Sequence, residues 1–424
     1  MRRGAYIRQL KRDIDVWIAQ NVITTQQAEK MLQLAGQGAS ARLSVPTILT
    51  MLGAVLLAFA GMTYVAANWQ GLGKLDRLLI LGTSMVAAYG TAGWLFATAR
   101  PLYAQAAILL GCALFGANIM LLGQTYHMSA HWPNGILLWA GGVSVAALLV
   151  PSRPAFALAI LLFGLWSFGE TLETETTHTL YLIPFAFLCA IGWVWKWRPG
   201  LHLLTVSFLF WLTINLAFFV LNKDWDETHL FTLYVLAATA ILSAAMIREE
   251  FLFQTALQRY GFFALFFSFI LLQLSAGATF SDTAFLGMAA VLAGVCAVAI
   301  VLALVSDNIR LLDAGVLMLV IISAIAAPYI VESTGVLSRY VYAALYIGLA
   351  VWAVDFGLEK DDRFIVNLAF TAFGAEVLWL YFSTFSTLLN QAIFFATGGI
   401  ILIASAVILE RVRRQLLAND QQGD

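Results

Sequence analysis

Charged residues are scarce in this sequence. Asp, Glu, Lys and Arg make up 11% of the 424 residues, whereas hydrophobic residues make up 61%. A soluble domain carries about 25% charged residues and needs them to cover its surface. The scarcity of charge excludes a soluble protein of this length and predicts segments that lie in a lipid bilayer.

Cysteine and histidine are rare as well. The three cysteines have no CxxC spacing and no neighbouring histidine, so neither a disulfide framework nor a zinc site is expected. The five histidines lie near the ends of predicted helices, which argues against a haem or two-metal centre. Phosphate-binding loops, serine-hydrolase elbows and HExxH motifs are also missing. We therefore predict no catalytic residue, no metal and no cofactor, and an enzyme is not favoured.

Apolar runs that match the thickness of a bilayer recur from Val45 onward. About 20 apolar residues cross the hydrocarbon core as a helix, because a helix satisfies its own backbone groups where no water is present. The predicted fold is an all-α, polytopic integral membrane helical bundle with about 14 transmembrane helices. The two weakest, 134–150 and 154–169, could instead form a re-entrant pair. The predicted helices are 45–67, 78–98, 102–123, 134–150, 154–169, 179–197, 201–221, 229–247, 258–277, 283–305, 310–330, 338–357, 364–382 and 388–409.

The two ends of the chain differ from its apolar middle. Residues 1–44 predict a short cytoplasmic hairpin of amphipathic helices, since apolar residues recur at helical spacing between Tyr6 and Gln20 and a turn then leads into a second helix. Residues 45–409 form the predicted transmembrane domain. Residues 410–424 form a basic and then polar cytoplasmic tail.

Lys and Arg are distributed unevenly between the predicted loops. With the N-terminus in the cytoplasm, 19 of the 23 basic residues fall on the cytoplasmic side, and only Lys74, Arg77, Lys223 and Arg339 fall on the other. An excess of Lys and Arg marks the cytoplasmic side of a membrane protein. The predicted location is therefore the bacterial inner membrane, with both termini in the cytoplasm.

Short motifs stand mainly at the ends of the predicted helices. They are Ile23-Thr24-Thr25-Gln26-Gln27-Ala28, Ala67-Asn68-Trp69-Gln70, Asp76-Arg77, Gly123-Gln124-Thr125-Tyr126-His127, Trp139, Tyr381-Phe382-Ser383-Thr384-Phe385 and Glu410-Arg411-Val412-Arg413-Arg414. Together they resemble those of a bacterial family of predicted membrane proteins, domain-of-unknown-function family 2157. The resemblance spans most of the chain, although residues 160 to 330 carry no matching feature. The family has no assigned activity to carry over, but the resemblance implies a neighbouring small membrane protein with a GDYxxLxY motif, and hence a membrane complex.

Polar and aromatic residues gather at the outer ends of the first four predicted helices. Polar groups inside an aromatic rim could bind a lipid headgroup, a sugar or a peptide. The alternative is an ordinary interfacial belt, where Trp and Tyr are enriched for their own sake. The His127 and His131 pair has the i, i+4 spacing of metal ligands, but no carboxylate or cysteine lies beside it in the sequence, so no metal site is predicted. The ligand-binding candidates are Asn68, Trp69, Arg77, Gln124, Tyr126, His127, His131 and Trp132.

Three polar residues, Asn118, Gln273 and Glu376, fall inside predicted transmembrane helices. A carboxyl group at that depth is costly and is a functional candidate by default. Glu376 could relay protons, or it could simply tie two helices together. Its possible hydrogen-bond partners are Asn118 and Gln273 on other helices, or Asn367 on its own.

Other charged residues are expected at helix ends. Asp307, Arg310 and Asp313 are spaced so that they could pair with one another on one helical face. The group from 355 to 363 is expected to be a solvated loop, and Glu170, Glu173 and Glu175 are expected to form a solvated acidic outer loop.

Three functional hypotheses follow. The leading one is a ligand-handling or transport-like protein that works in a membrane complex, for which an aqueous cavity should reach Glu376 or Asn118. The alternative is a scaffold or sensor subunit that binds cytoplasmic partners through residues 1–44. The third is a membrane enzyme that acts on a lipid-linked substrate at the outer face, with His127 as base and Arg77 as anion clamp. The expected partners include membrane lipids and no nucleic acid.

Overall fold

Every regular element in the described part of the chain is helical, which confirms the all-α prediction. The computed structural model describes residues 73–125, 131–248, 252–275, 283–335 and 337–385, together with scattered positions before and after them. A single 3-10 turn, Thr179–Tyr181, precedes the fifth helix. The helices are α1 (Lys74–Ala97), α2 (Pro101–Thr125), α3 (Pro133–Leu149), α4 (Arg153–Thr174), α5 (Leu182–Trp195), α6 (Arg198–Leu221), α7 (Glu227–Ala245), α8 (Gln254–Leu274), α9 (Thr283–Val305), α10 (Leu311–Thr334), α11 (Leu337–Glu359) and α12 (Arg363–Phe385).

Ten of these helices are long and apolar enough to cross a membrane, so the chain is a multi-pass membrane protein. The helices α3 and α5 are apolar but shorter. The count of about 14 is therefore not confirmed. The predicted helices 45–67 and 388–409, the hairpin 1–44 and the tail 410–424 fall mainly outside the described residues.

The expected shortness of the helix at 154–169 is wrong, because α4 runs for 22 residues to Thr174. The predicted boundary was the end of the apolar run. The helix continues past it through Glu170 and Glu173, since both carboxylates find hydrogen-bond donors there. Glu170 and Glu173 are thus helical residues with partners, and the acidic loop expected at this place begins only at Glu175.

The chain divides into two compact units, residues 1–128 with 146–155 and residues 129–145 with 156–424. In the first unit, α1 and α2 pack closely where Gly111 faces the ring of Tyr89. A Cβ atom at Gly111 would lie 2.8 Å from that ring, so the contact requires glycine. Small residues at helix contacts are the usual means of close packing within a membrane.

In the second unit, α7 is surrounded by α8, α9 and α10. The hydroxyl groups of Thr232, Thr239 and Ser243 on this helix are buried and bonded to carbonyl groups. Thr239 donates to the carbonyl of Val235 at 2.7 Å, and Thr232 donates across to the carbonyl of Ala324 on α10 at 3.2 Å. Such bonds satisfy polar groups where water is absent, so α7 can form the centre of the unit despite its hydroxyl groups.

Arg310 joins the start of α10 to the end of α11. Its guanidinium contacts Asp313 at 2.9 Å, Asp355 at 2.6 Å and Glu359 at 2.9 Å. The hydrogen bonds to Asp313 and Asp355 raise the pKa of Arg310 above its ordinary range. Asp313 is almost fully buried and also accepts from the indole of Trp352 at 2.9 Å. The expected pairing of Arg310 with Asp313 is therefore present, and it extends to two residues that the sequence had placed in a solvated loop.

We predict that Arg310→Gln lowers the thermal stability of the purified protein in detergent. The substitution removes two side-chain donors from the buried Asp313 carboxylate. Hydrogen bonds to charged groups contribute roughly 1.5–3 kcal/mol, and the partial exposure of Arg310 favours the lower end of that range. Arg363→Gln is the control, since Arg363 is exposed and makes no ion pair with the described residues. Equal melting temperatures for the two variants would contradict a stabilising role for Arg310.

Candidate functional site

Glu376 lies in α12 and is fully buried. The side-chain amide of Gln273, near the end of α8, donates to Glu376 Oε1 at 2.8 Å. Of the three partners that the sequence allowed, the structure selects Gln273, while the side chain of Asn367 is exposed. The bond ties α8 to α12 inside the second unit.

The surroundings of this pair supply few further polar contacts. Tyr346 on α11 is buried and interacts electrostatically with Glu376. Glu376 Oε2 and Gln273 Oε1 are both buried and have no hydrogen-bond partner among the described residues. A buried polar atom without a partner carries a desolvation cost of about 1–3 kcal/mol. The pair is therefore an incompletely satisfied polar site within apolar packing.

Asn118 has a different role. It lies on α2 in the first unit, is nearly buried, and donates through Nδ2 to the carbonyl of Leu81 on α1 at 3.1 Å. A neutral side chain that bonds a backbone carbonyl of the next helix is an ordinary interhelical tie. This geometry assigns Asn118 to packing of the first unit.

A cavity of about 190 Å³ lies between α8, α10 and α11 and has a mainly apolar lining that includes Phe269, Val316 and Leu349. The residues that line it do not include Glu376 or Asn118. An aqueous cavity that reaches those side chains therefore stays a prediction of the transport hypothesis.

A second polar group, which we call the Glu170 cluster, gathers around the last turns of α4. His131 Nε2 lies 2.6 Å from Glu170 Oε2, and the indole of Trp166 donates to Glu170 Oε1 at 3.1 Å. The indole of Trp132 donates to Glu173 at 3.0 Å. The His131-Trp132 dipeptide thus bonds to two carboxylates that lie one turn apart. The cluster consists of His131, Trp132, Trp166, Glu170, Glu173 and His178.

Trp132 also lies against the backbone of α4. A Cβ atom at Gly169 would come within 2.5 Å of the Trp132 ring, so only glycine allows this approach. The segment that precedes α3 is therefore held to α4 by two hydrogen bonds and by ring packing.

His178 fixes the segment that follows α4. Its Nδ1 lies 3.0 Å from the hydroxyl of Ser167, its backbone N–H donates to Asn215 at 2.5 Å, and its carbonyl accepts from Trp211 at 2.9 Å. The edge of the His178 ring meets Trp166 with centroids 4.6 Å apart. Burial lowers the pKa of His178, and the nearby Glu170 carboxylate offsets part of that effect. His178 is therefore neutral at neutral pH.

His131 and Trp132, two of the ligand-binding candidates, thus contact carboxylates that the sequence had placed in a loop, and their predicted ligand-binding role stays a prediction. The missed signal is the i, i+3 spacing of Glu170 and Glu173, which continues the helix beyond its apolar run. Arg77 lies in the first turn of α1. The candidates Asn68, Trp69, Tyr126 and His127, and the side chain of Gln124, lie outside the described residues.

Two kinds of chemistry follow from this geometry. The Glu376 carboxyl can bind or release a proton at membrane depth. The Glu170 cluster instead holds the segment before α3 to α4 through bonds to carboxylates, and His178 holds the segment after α4 through neutral hydrogen bonds. Within the described part of the chain, no three His, Cys, Asp or Glu side chains come together as metal ligands.

We predict that Glu170→Gln loosens the start of α3. The neutral side chain at position 170 can no longer make the charge-assisted bond to His131. That bond also holds His131 in place, and the carbonyl of His131 accepts a hydrogen bond from the backbone N–H of Asn134. Hydrogen–deuterium exchange at Asn134 and Gly135 should become roughly three- to tenfold faster, as expected for a partly exposed bond worth about 1 kcal/mol. Glu175→Gln, at an exposed position in the same region, should leave these rates unchanged. The role of Glu170 is refuted when both variants exchange alike.

Comparison with known proteins assigns a family to the first part of the chain. Residues 15–156 match the family described as predicted membrane protein DUF2157. The match includes the motifs between Ile23 and Trp139, but those at 381–385 and 410–414 lie outside it, so the resemblance is confirmed for this range and not for most of the chain. No curated protein and no solved structure matches the chain. Residues 15–156 of this multi-pass membrane protein are thus similar to the predicted membrane protein family DUF2157.

Proposed function

We propose that this protein is a ligand-handling, transport-like protein of the bacterial inner membrane that works within a membrane complex. The observation that supports the proposal is the fully buried Glu376 carboxyl, which is bonded to Gln273 and lies inside a candidate transmembrane helix. Ionisable groups are costly at this depth and mark proton relays and substrate pathways in transport proteins.

The competing role for Glu376 is a structural tie between α8 and α12. Two other interhelical ties that lie inside helices use neutral groups, the Asn118 amide and the Thr232 hydroxyl, whereas the ion pairs of Arg259 and Arg310 lie at helix ends. A glutamine at position 376 could make the same single bond without an ionisable group. The presence of a carboxylic acid therefore favours a role that uses its proton.

The membrane complex is supported by the family assignment of residues 15–156. The proposed partner is a small membrane protein with a GDYxxLxY motif, and membrane lipids are the proposed surroundings. A scaffold or sensor function through residues 1–44 is the alternative, and it would not require Glu376 to titrate.

The proposed topology places both termini in the cytoplasm, with about 14 transmembrane helices when every predicted helix crosses. The support is the excess of Lys and Arg in alternate loops, including Arg100, Arg248 and Lys360. When the two shorter helices, α3 and α5, do not cross, the side of every loop after α5 stays the same, because two crossings are lost together. Only the connections around α4 change sides.

Cysteine labelling distinguishes these topologies. In intact cells, a membrane-impermeant maleimide should label Thr176→Cys and Lys223→Cys, but not Ser306→Cys, since all three positions are exposed and only Ser306 faces the cytoplasm. Labelling of Thr176→Cys only after permeabilisation would show that α3 does not cross. Labelling of Ser306→Cys in intact cells would overturn the orientation.

For function, the decisive comparison is between Glu376→Gln and Glu376→Leu. Native mass spectrometry of the protein extracted gently from its own membrane should show a reproducible lipid or small-molecule adduct. Glu376→Gln should reduce its occupancy about tenfold, which corresponds to about 1.4 kcal/mol of binding energy, while the melting temperature changes little because an amide can still bond to Gln273. Glu376→Leu should lower the melting temperature as well.

Other outcomes favour the other roles. Equal adduct occupancy in wild type and Glu376→Gln, with a lower melting temperature in Glu376→Leu, would leave Glu376 as a structural tie. A co-purifying protein without any adduct would favour the scaffold function.

A further inference from the structure

Two carboxyl groups in the described part of the chain, those of Asp313 and Glu376, are nearly fully buried, and their surroundings differ. Asp313 accepts four hydrogen bonds: from the backbone N–H of Arg310 at 2.9 Å, from its Nε at 3.2 Å, from its Nη2 at 2.9 Å and from the Trp352 indole at 2.9 Å. Both oxygens of Asp313 are therefore satisfied, and a cation lies against them. This is the environment of an ionised carboxylate.

Glu376 has a single donor. Gln273 Nε2 donates to Oε1, whereas Oε2 has no donor among the described residues. The partner shows the same deficit, since Gln273 Oε1 is also buried without a donor. With an ionised carboxylate, both of these oxygens are acceptors that receive no hydrogen. A single proton shared between Glu376 Oε2 and Gln273 Oε1 would supply the hydrogen bond that each of these atoms lacks.

We infer that Glu376 carries a proton on Oε2 and forms a cyclic acid–amide pair with Gln273, so that the ligand of this site is a proton. In the pair, Gln273 Nε2–H donates to Glu376 Oε1, and Glu376 Oε2–H donates to Gln273 Oε1. A carboxylic acid has one donor and one acceptor, and a primary amide offers the complementary set. This inference rests on the proposed function in taking Glu376 as the working group.

The elements packed against α12 are α8 and α11. On α8 the group that faces Glu376 is Gln273, which does not titrate. On α11 it is Tyr346, whose neutral phenol cannot act as a counter-ion. No cation among the described residues interacts with Glu376. An ionised Glu376 would thus have no cation beside it, whereas Asp313 has the guanidinium of Arg310. In the proposed pair, a bound proton neutralises Glu376 instead.

Release of the proton has a structural consequence. The Oε2–H bond is lost, and Glu376 Oε2 and Gln273 Oε1 then face each other as two acceptors. Within this pair, only the bond at 2.8 Å from Gln273 Nε2 to Glu376 Oε1 then remains. Protonation therefore closes the contact between these helices, and deprotonation weakens it. This is the link that a transport-like protein needs between proton binding and helix movement.

Infrared spectroscopy of the purified full-length protein tests the inference, because a protonated carboxylic acid has a carbonyl stretch that an ionised carboxylate lacks. At neutral pH the wild type should show this band, and Glu376→Gln should remove it. Asp313→Asn should leave the band unchanged, since Asp313 is ionised. Gln273→Leu should shift the band to higher frequency, because the acid then loses its amide partner.

The inference is overturned when Glu376→Gln leaves the infrared spectrum unchanged and the variant melts like the wild type, which shows that it is folded. If Glu376→Gln does not fold, the infrared spectrum of Gln273→Leu becomes the test. A carbonyl band at the wild-type frequency in that variant refutes the acid–amide pair. The proposed function fails separately. Suppose that Glu376→Gln removes the infrared band but that wild type and Glu376→Gln bind the adduct with equal occupancy. The proton at Glu376 would then be supported, and a role of Glu376 in ligand handling would be refuted.

Discussion

The absence of water from the bilayer core constrains the polar groups inside the described helices. A polar side chain there must find its partner within the protein. The hydroxyls of Thr239 and Ser243 bond to carbonyls one turn earlier on the same helix, and Asn118 bonds to the neighbouring helix. Ion pairs lie at helix ends instead, where Arg310 and the Arg259–Asp362 pair hold α10 to α11 and α8 to the start of α12. The same constraint makes Glu376 informative, because it is the buried acid that receives too few donors.

The membrane class and most helix positions could be predicted because they depend on local properties. A run of apolar residues predicts a spanning helix wherever it packs, so α9 was predicted with both of its observed ends. The partners of Arg310 could not be predicted in the same way, since Asp355 lies 45 residues away in sequence and reaches Arg310 only through the packing of α10 against α11. The prediction of a solvated loop at residues 355 to 363 was based on the charge of these residues. Charge does not reveal a partner on another helix.

The candidate site residues could likewise be predicted from local sequence, but their partners could not. Glu376 was identified from its position in an apolar run, but the choice of Gln273 over Asn118 or Asn367 required the packing of α8 on α12. His131 and Trp132 were identified as a polar and aromatic pair, whereas their acceptors Glu170 and Glu173 were not. Apolar periodicity ends before Glu170, and two of the donors that satisfy these carboxylates lie 39 and 41 residues earlier, beyond the reach of a local pattern.

The Glu170 cluster also bears on the two shorter helices. At 1.5 Å per residue, the 17 residues of α3 extend about 25 Å, which is less than the roughly 30 Å of a typical hydrocarbon core. The apolar part of α4 is equally short, because its last turn carries Glu170 and Glu173. His131 and Trp132 bind that turn from just before α3, and His178, just before the 3-10 turn that leads into α5, binds Ser167 on the preceding turn of α4. The polar end of α4 and the starts of α3 and α5 are therefore fixed at one level. A bilayer can thin locally around short apolar segments at modest cost, and three such segments anchored at one level would share that cost. On this argument the cluster forms a polar boundary at the ends of three short apolar segments.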